Sequence, residues 1–382
     1  MKFKLEGAQR ACSPEDTISR MKPFFEMAGI TRVGDITGLD RIGIPVAQCI
    51  RPDAVSLVVD SGKGYTKIQA RCSAIMEGFE RHIAETANIE SIDTSESNLL
   101  NSETRFPMFN GAPYIKDVSI KWTTAKTIYS QKETFVPLNC VKMIPRNSLQ
   151  SMLSANFSSN SNGLSSGNTL EEAICGGLYE VIERDQVTRV FCNPKLGSVV
   201  DIDLIQDEHL NTLIEKIKSK DVNVILFDCT GDIGLPTYMC YLWDNERGNA
   251  LCRGYAAHLN PVVAQSRAIC EAIQGRVVWI AGSRDDITHE KFVASKNDDT
   301  IEMVDSLKNW KPKKHIERYD MSGNLFSDDI AKILSLLEKA GIPEPLICEF
   351  QHQYPCSAVR IMIPTLEGYY NNFIQRGARS VA

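Results

Sequence analysis

The 382-residue chain has no apolar run near the ~18 residues that a membrane-spanning helix needs. Met1-Lys2-Phe3-Lys4 leads into no signal-peptide core. These absences predict a cytoplasmic protein without membrane contact. No basic run with interleaved aromatics is present, and the net charge is -6 with a pI of about 5.7, which argues against a nucleic-acid surface. The 12 cysteines show no CxxC or other ligand-like pairing. A metal or redox motif is thereby excluded, and the thiols are expected to pack as small hydrophobes in a reducing compartment. The histidines lack HxxxH and HExxH spacing for zinc, and the absence of a Gly-x-Ser-x-Gly elbow removes a serine hydrolase. Ser61-Gly62-Lys63-Gly64 falls short of a P-loop, because Leu57 stands where the first glycine belongs and Gly64 where Ser or Thr must follow the lysine. Lys63 remains a candidate phosphate contact, with a solvated turn lysine as the alternative.

What the chain does have is acids at helical spacing. One segment carries Ser73, Glu77 and Glu80 followed by Arg81; another carries Asn168 and Glu172, then Glu180, Glu183 and Arg184. Positions three, four, seven and eight apart share a helical face, so these acids run beside apolar stripes that favour burial. Unpaired buried carboxylates are costly, and a bound cation would relieve that cost. Two such helices would suit Mg²⁺, which carboxylates commonly hold together with nucleotide phosphates; solvated helix faces are the alternative. Residues 151–168 hold 13 Ser, Asn or Gly in 18 positions and feed the second acid helix. With Asn168 as N-cap, the stretch reads as a ligand loop offering backbone N–H groups to a phosphate, or as a plain linker. A third helix from Pro261 to about Ala281 presents Arg267, Glu271 and Gln274 at a four-then-three step.

Elsewhere the pattern predicts a helix from Ser13-Pro14 to a stop at Gly29. Extended segments are expected at 31–37, 44–50, 54–59, 121–130, 134–143, 222–228, 236–243, 251–258, 345–351 and 356–363, with a helix near 328–340. Helices and strands mix without sustained βαβ alternation, so the expected class is α+β, with mixed or antiparallel sheets and long helices around a nucleotide-Mg²⁺ site. No low-complexity linker divides the chain. One domain over 1–382 is expected, with subdomains at about 1–150, 151–285 and 286–382 and no separate peptide-clamp domain.

Taken together, Arg10–Ile18 (RACSPEDTI), Gly29–Val46 (GITRVGDITGLDRIGIPV), SGKG with SAIMEGFER, and Ser161–Asp185 (SNGLSSGNTLEEAICGGLYEVIERD) resemble the YcaO family. Arg267-x-x-x-Glu271-Ala272-x-Gln274 and Arg360–Glu367 (RIMIPTLE) complete the resemblance, which covers nearly the whole chain in order. It implies the YcaO-type fold and a site that binds ATP and Mg²⁺, with the metal on Glu77, Glu80, Glu180 and Glu183. It implies nucleotide contacts from Ser73, Asn168, Glu172, Arg184, Arg267 and Glu271, with Arg10 and Thr17 approaching from the N-terminal region. Family members phosphorylate a backbone amide oxygen so that a nucleophile can add at the carbonyl carbon and phosphate can leave. A sulfide gives a thioamide, a Cys, Ser or Thr side chain an azoline, and an amine an amidine. The lack of a proline after Pro364 and the N-terminal block look more like thioamide-forming members that work with a TfuA-type partner. Azoline cyclodehydration in peptide natural-product biosynthesis and a non-catalytic nucleotide-binding accessory role are the alternatives. The expected partners are a TfuA-like or E1-like protein and a precursor peptide or protein, and a homodimer is compatible with the composition.

Overall fold

The computed structural model describes residues 1–103, 106, 116–144, 157, 159–244, 251–284, 298–309, 318–368 and 377–381. These form two units of non-contiguous segments, with elements numbered below in chain order. The first comprises Met1–Asp53, Leu57–Gly78 and Lys195–Ser322; the second comprises Ala54–Ser56, Phe79–Pro194 and Gly323–Ala382. Each unit thus gathers distant stretches of chain, where the sequence reading draws subdomains as consecutive blocks.

The first unit opens with an antiparallel hairpin, β1 (Phe3–Leu5) and β2 (Ala8–Arg10). Helix α1 (Pro14–Met21) starts where the Ser13 side chain accepts the Asp16 N–H at 3.1 Å. It stops well short of Gly29: Pro23 has no N–H to continue the ladder, and the chain tightens into a 3₁₀ turn over Lys22–Phe24. Strands β3 (Arg32–Asp35), β4 (Val46–Ile50) and β5 (Val59–Lys63) form an antiparallel sheet in that order. The strand expected at 54–59 is therefore displaced onto Val59–Lys63. Helix α2 (Lys67–Thr86) follows, and its residues beyond Gly78 belong to the second unit.

A second antiparallel sheet of this unit orders β10 (Ser198–Val199), β11 (Val222–Asp228), β12 (Thr237–Asp244) and β13 (Cys252–Ala257). Helix α5 (Glu208–Lys218) packs on β11, and α6 (Pro261–Ala281) packs on β12 and β13; α7 (Asp298–Asn309) also falls here. Strand β12 is buried along its whole length, and its Cys240 and Leu242 join Leu213, Ile217, Ile269 and Ile273 in the core.

The second unit is built on an antiparallel sheet ordered β6 (Ile92–Thr94), β7 (Ile120–Thr127), β14 (Leu346–Glu349), β15 (Ser357–Met362) and β9 (Leu164–Gly167). Strand β8 (Glu133–Pro137) pairs with β7 and leads into the short α3 (Leu138–Val141). Helix α4 (Leu170–Cys192) lies on β9 and β15, with α8 (Phe326–Lys339) and α9 (Ala378–Val381) against it. It is buried on most of its circumference, as expected of a helix covered on several sides. The α+β class holds, with antiparallel pairing in each sheet. Among the described residues no helix is long and apolar enough to cross a membrane, and no disulfide joins the cysteines.

Candidate functional site

In the first unit the SGKG segment is the end of β5, and its glycines answer to packing. A Cβ on Gly62 would stand 2.0 Å from the Ala74 nitrogen and 2.3 Å from the Ala70 oxygen, so only glycine lets the strand lie against α2. Ser73 and Glu77 are half-buried on that helix, four residues apart. Lys63 turns toward α6, where its Nζ meets Glu271 Oε2 at 2.6 Å. Gln274, one turn further, donates to the Ser61 carbonyl at 3.0 Å. Two members of the expected ladder, Glu271 and Gln274, thus meet β5. Gln274 Oε1 and Ser61 Oγ are buried with no hydrogen-bond partner among the described residues.

Helix α6 is placed by its ends. The Asn260 side chain accepts the Val262 and Val263 N–H groups at 2.9 and 3.2 Å, Pro261 follows, and Gly282 closes the helix in a left-handed conformation at φ +59. Just before it stands His258, a residue that sequence reasoning did not single out. Its Nδ1 accepts the Asn260 N–H at 2.9 Å. Burial, and then the positive charges of Arg267, Lys2 and Arg10, hold its pKa well below the usual histidine value, so the ring is neutral. Arg267, Lys2 and Arg10 are thus each near enough for their charge to act on His258. Lys2 is itself buried and donates to Gln9 Oε1 at 3.0 Å. Nothing in the sequence marks a lysine at the start of a hairpin as such a residue. Thr17 is 2% exposed, and its hydroxyl donates back to the Ser13 carbonyl at 2.9 Å, which ties it to the first turn of α1.

The second unit carries the acids. Helix α4 is capped by Thr169, whose hydroxyl accepts the Glu172 N–H at 3.2 Å; the cap lies one residue beyond the expected Asn168. Glu172 reaches back to accept the Asn168 N–H at 2.9 Å and its side-chain amide at 3.2 Å, so these two expected site residues meet. The described end of the Ser/Asn/Gly stretch is strand β9, not a loop, while 151–156 and 158 lie outside the described residues. On β9 the Ser166 N–H donates to Glu80 Oε2 at 2.7 Å, fixing one of the α2 acids to the strand that feeds α4.

Along α4, Glu180 and Glu183 stand 3.9 and 3.6 Å from the Arg184 guanidinium, distances of ion pairs longer than hydrogen bonds. Arg360 of β15 is 1% exposed and donates to the Val141 and Asn162 carbonyls at 3.1 and 2.9 Å. Its burial lowers its pKa, and the nearby charges of Glu180 and Glu80 oppose that shift. Asp185, fully buried after Arg184, takes two hydrogen bonds of 2.8 Å from Arg379 and one of 3.0 Å from the Glu367 N–H. Burial pushes its pKa up against the pull of Arg379.

Among the described residues no three or more His, Cys, Asp or Glu side chains form a group that could hold a metal ion. The donor set proposed for the metal is nevertheless made of carboxylate oxygens, the hard ligands that suit Mg²⁺, and it therefore fits that ion in chemistry. On the other face of α2, His82 Nε2 lies 2.8 Å from the Tyr354 hydroxyl, a packing role.

With this geometry in place, residues 61–367 match the family described as YcaO cyclodehydratase, ATP- and Mg²⁺-binding. The chain belongs to the YcaO family. A relative from Rhizobium leguminosarum bv. trifolii, described as an uncharacterized protein in the tfuA 3' region, is 31% identical over 97% of this chain and 92% of its own length. The fold is similar to that of YcaO from Methanopyrus kandleri bound with AMPPCP and Mg²⁺, with a TM-score of 0.72 and 21% identity over 96% of this chain and 94% of that one. It is also similar to a heterocyclase in complex with substrate and cofactor, with a TM-score of 0.79 and 19% identity over 99% of this chain. This chain spans only 56% of that heterocyclase. By the family's description ATP and Mg²⁺ are the cofactors of this YcaO chain, and the family is one of ATP-dependent peptide-modifying enzymes.

Proposed function

We propose that this YcaO protein activates a peptide backbone amide by transferring the γ-phosphoryl group of ATP to the amide oxygen, and that hydrosulfide then attacks. Sulfur adds at the former carbonyl carbon, the C–O bond breaks, phosphate leaves with the oxygen, and the product is a thioamide. The observation that supports the activation step is that half-buried Glu80 and Glu180 place negative charge around buried Arg360 without forming an ion pair with it, since such carboxylates suit a cation that carries phosphates. In this reading Glu77, Glu80, Glu180 and Glu183 hold Mg²⁺, which supplies neutralisation of phosphate charge. Arg10, Thr17, Lys63, Ser73, Asn168, Glu172, Arg184, Arg267 and Glu271 hold the nucleotide. The neutral ring of His258 adds no charge to that of Lys2, Arg10 and Arg267, which act on it.

The relative from the tfuA 3' region favours a TfuA-like protein as partner, and the resemblance to thioamide-forming members that work with such a partner favours sulfide as the nucleophile. The likeness to a heterocyclase favours a second reading, azoline formation from a Cys, Ser or Thr of the substrate. Intact mass of a co-expressed precursor separates them: exchange of oxygen for sulfur adds roughly 16 Da, whereas ring closure removes roughly 18 Da, because a different atom attacks the activated carbonyl. Loss of water without sulfur incorporation would refute the thioamide reading. Tight ATP binding without phosphate release under any peptide and partner condition would refute both, leaving a non-catalytic accessory protein.

A further inference from the structure

A pocket of the second unit opens beside the acid-bearing turn of α4. Its lining includes the aliphatic side chains of Val181, Ile361, Ile363 and Leu366 and the amides of Asn160 and Asn162. Val181 follows Glu180 directly and precedes Glu183 by two residues, so the apolar wall and the acids leave the same helical turn. The walls are held close. A Cβ on Gly163 would lie 2.0 Å from the Ile361 oxygen, and one on Gly177 would lie 2.5 Å from Ile361 Cγ1, so β15 is clamped against α4 and the slot stays narrow.

The polar lining of the slot is incomplete. The Asn162 backbone carbonyl is engaged by Arg360 at 2.9 Å, but its side-chain Oδ1 is buried with no hydrogen-bond partner among the described residues. A buried amide oxygen without a donor is complementary to an N–H. Cys140 also lines the pocket, but burial pushes its thiol up to about 12, so it stays protonated and is no nucleophile. The slot therefore offers an aliphatic wall, a donor-seeking oxygen and no charge of its own.

We propose that this pocket seats the substrate residue that flanks the amide being activated, a compact aliphatic residue whose backbone N–H donates to Asn162 Oδ1. The inference rests on the peptide-activating reading and adds a substrate class to it. A charged side chain at this position would lose its water among Val181, Ile361, Ile363 and Leu366 with no partner in return. A large aromatic would force β15 away from α4.

The test titrates the full chain, saturated with a non-hydrolysable ATP analogue and Mg²⁺, with capped pentapeptides Gly-Gly-X-Gly-Gly in which X is Val, Phe or Lys. The Val peptide should bind at least ~10-fold tighter than the Lys peptide, with Phe between them. Asn162→Leu should weaken the Val peptide about 10-fold, and Asn162→Asp, which keeps an acceptor oxygen, should restore most of that loss. Equal affinity for Val and Lys, or no effect of N162L, overturns the pocket assignment. The peptide series needs no variant, so a misfolded N162L does not leave the question open. Parallel ATP-consumption assays separate the two readings: selective binding without turnover refutes the catalytic reading alone, and turnover without selectivity refutes the pocket alone.

Discussion

In the first unit, Arg276 sits between Asp40 and Asp244 at 3.0 and 2.8 Å, and Arg51 meets Asp60 at 2.9 Å, each a buried cation answered by buried acids. In the second unit, Arg360 is as deeply buried, yet its two oxygen acceptors are backbone carbonyls and no carboxylate among the described residues lies within ion-pair distance. Its counter-charges, Glu80 and Glu180, act from further away. The difference separates architecture from chemistry. Charges that satisfy each other fix α6 and its neighbours, whereas a guanidinium held by carbonyls stabilises nearby acids without occupying their oxygens. That arrangement is what a site needs if the same oxygens are to meet a metal.

The comparison can be broken most directly at the acids. Glu80→Gln or Glu183→Gln keeps shape and removes charge, and single-turnover ATP consumption with peptide should fall at least ~100-fold if each is a metal ligand. Unchanged turnover in both variants would reduce the second unit's acids to the structural status of Asp40 and Asp244. Next in size is a pair of arginine replacements followed by urea unfolding. Arg276→Met takes the ion-pair partner from buried Asp40 and leaves Asp244 with Arg41 alone, and should cost about 3–5 kcal/mol. Arg360→Met strands two carbonyls and should cost less, about 1–3 kcal/mol, while lowering activity. Equal stability losses would erase the distinction between the units.

A pH measurement sharpens the same contrast. His258 has a folded-state pKa below its unfolded value of 6.5, so its contribution is present above that pH and is lost as pH falls and the unfolded chain takes up the proton. Stability should decline by up to ~1.4 kcal/mol per pH unit below 6.5 on this account, and His258→Asn should flatten that limb. The smallest effect belongs to Asp35, whose pKa is lowered to about 2 chiefly by Lys67 and Thr37. Its contribution is present above 3.8 and is lost as pH falls through about 2. Because the pair is largely solvated, Asp35→Asn should change the melting profile by less than ~1 kcal/mol, and only in that window.

The long periodic elements were legible from sequence. Helix α6 carries a capping Asn260, Pro261 and a closing Gly282, and its expected bounds match the structure. Strand β11 at Val222–Asp228 matches as well. Strand β5 was misplaced because Asp60-Ser61-Gly62-Lys63 has no β-like composition; pairing with β4 and the close approach to α2 make it a strand. Helix α5 went unread although Asp207 caps it and Leu210, Leu213, Ile214 and Ile217 repeat at helical spacing. At the site, spacing along single helices identified the acids, but Arg360, His258 and Asp185 were not singled out. Their roles come from partners far away in sequence: the acceptors of Arg360 lie 219 and 198 residues before it. Local pattern carries no trace of such pairings.

The bond between Asp185 and Arg379 gives the short helix α9 an influence out of proportion to its four residues. Arg379 is held by two contacts of 2.8 Å to a fully buried carboxylate on the helix that carries Glu180 and Glu183. Replacing Arg379 would therefore act on the interior: Asp185 would keep the Glu367 N–H at 3.0 Å but lose both guanidinium bonds, and its helix would have to loosen or the carboxylate take up a proton.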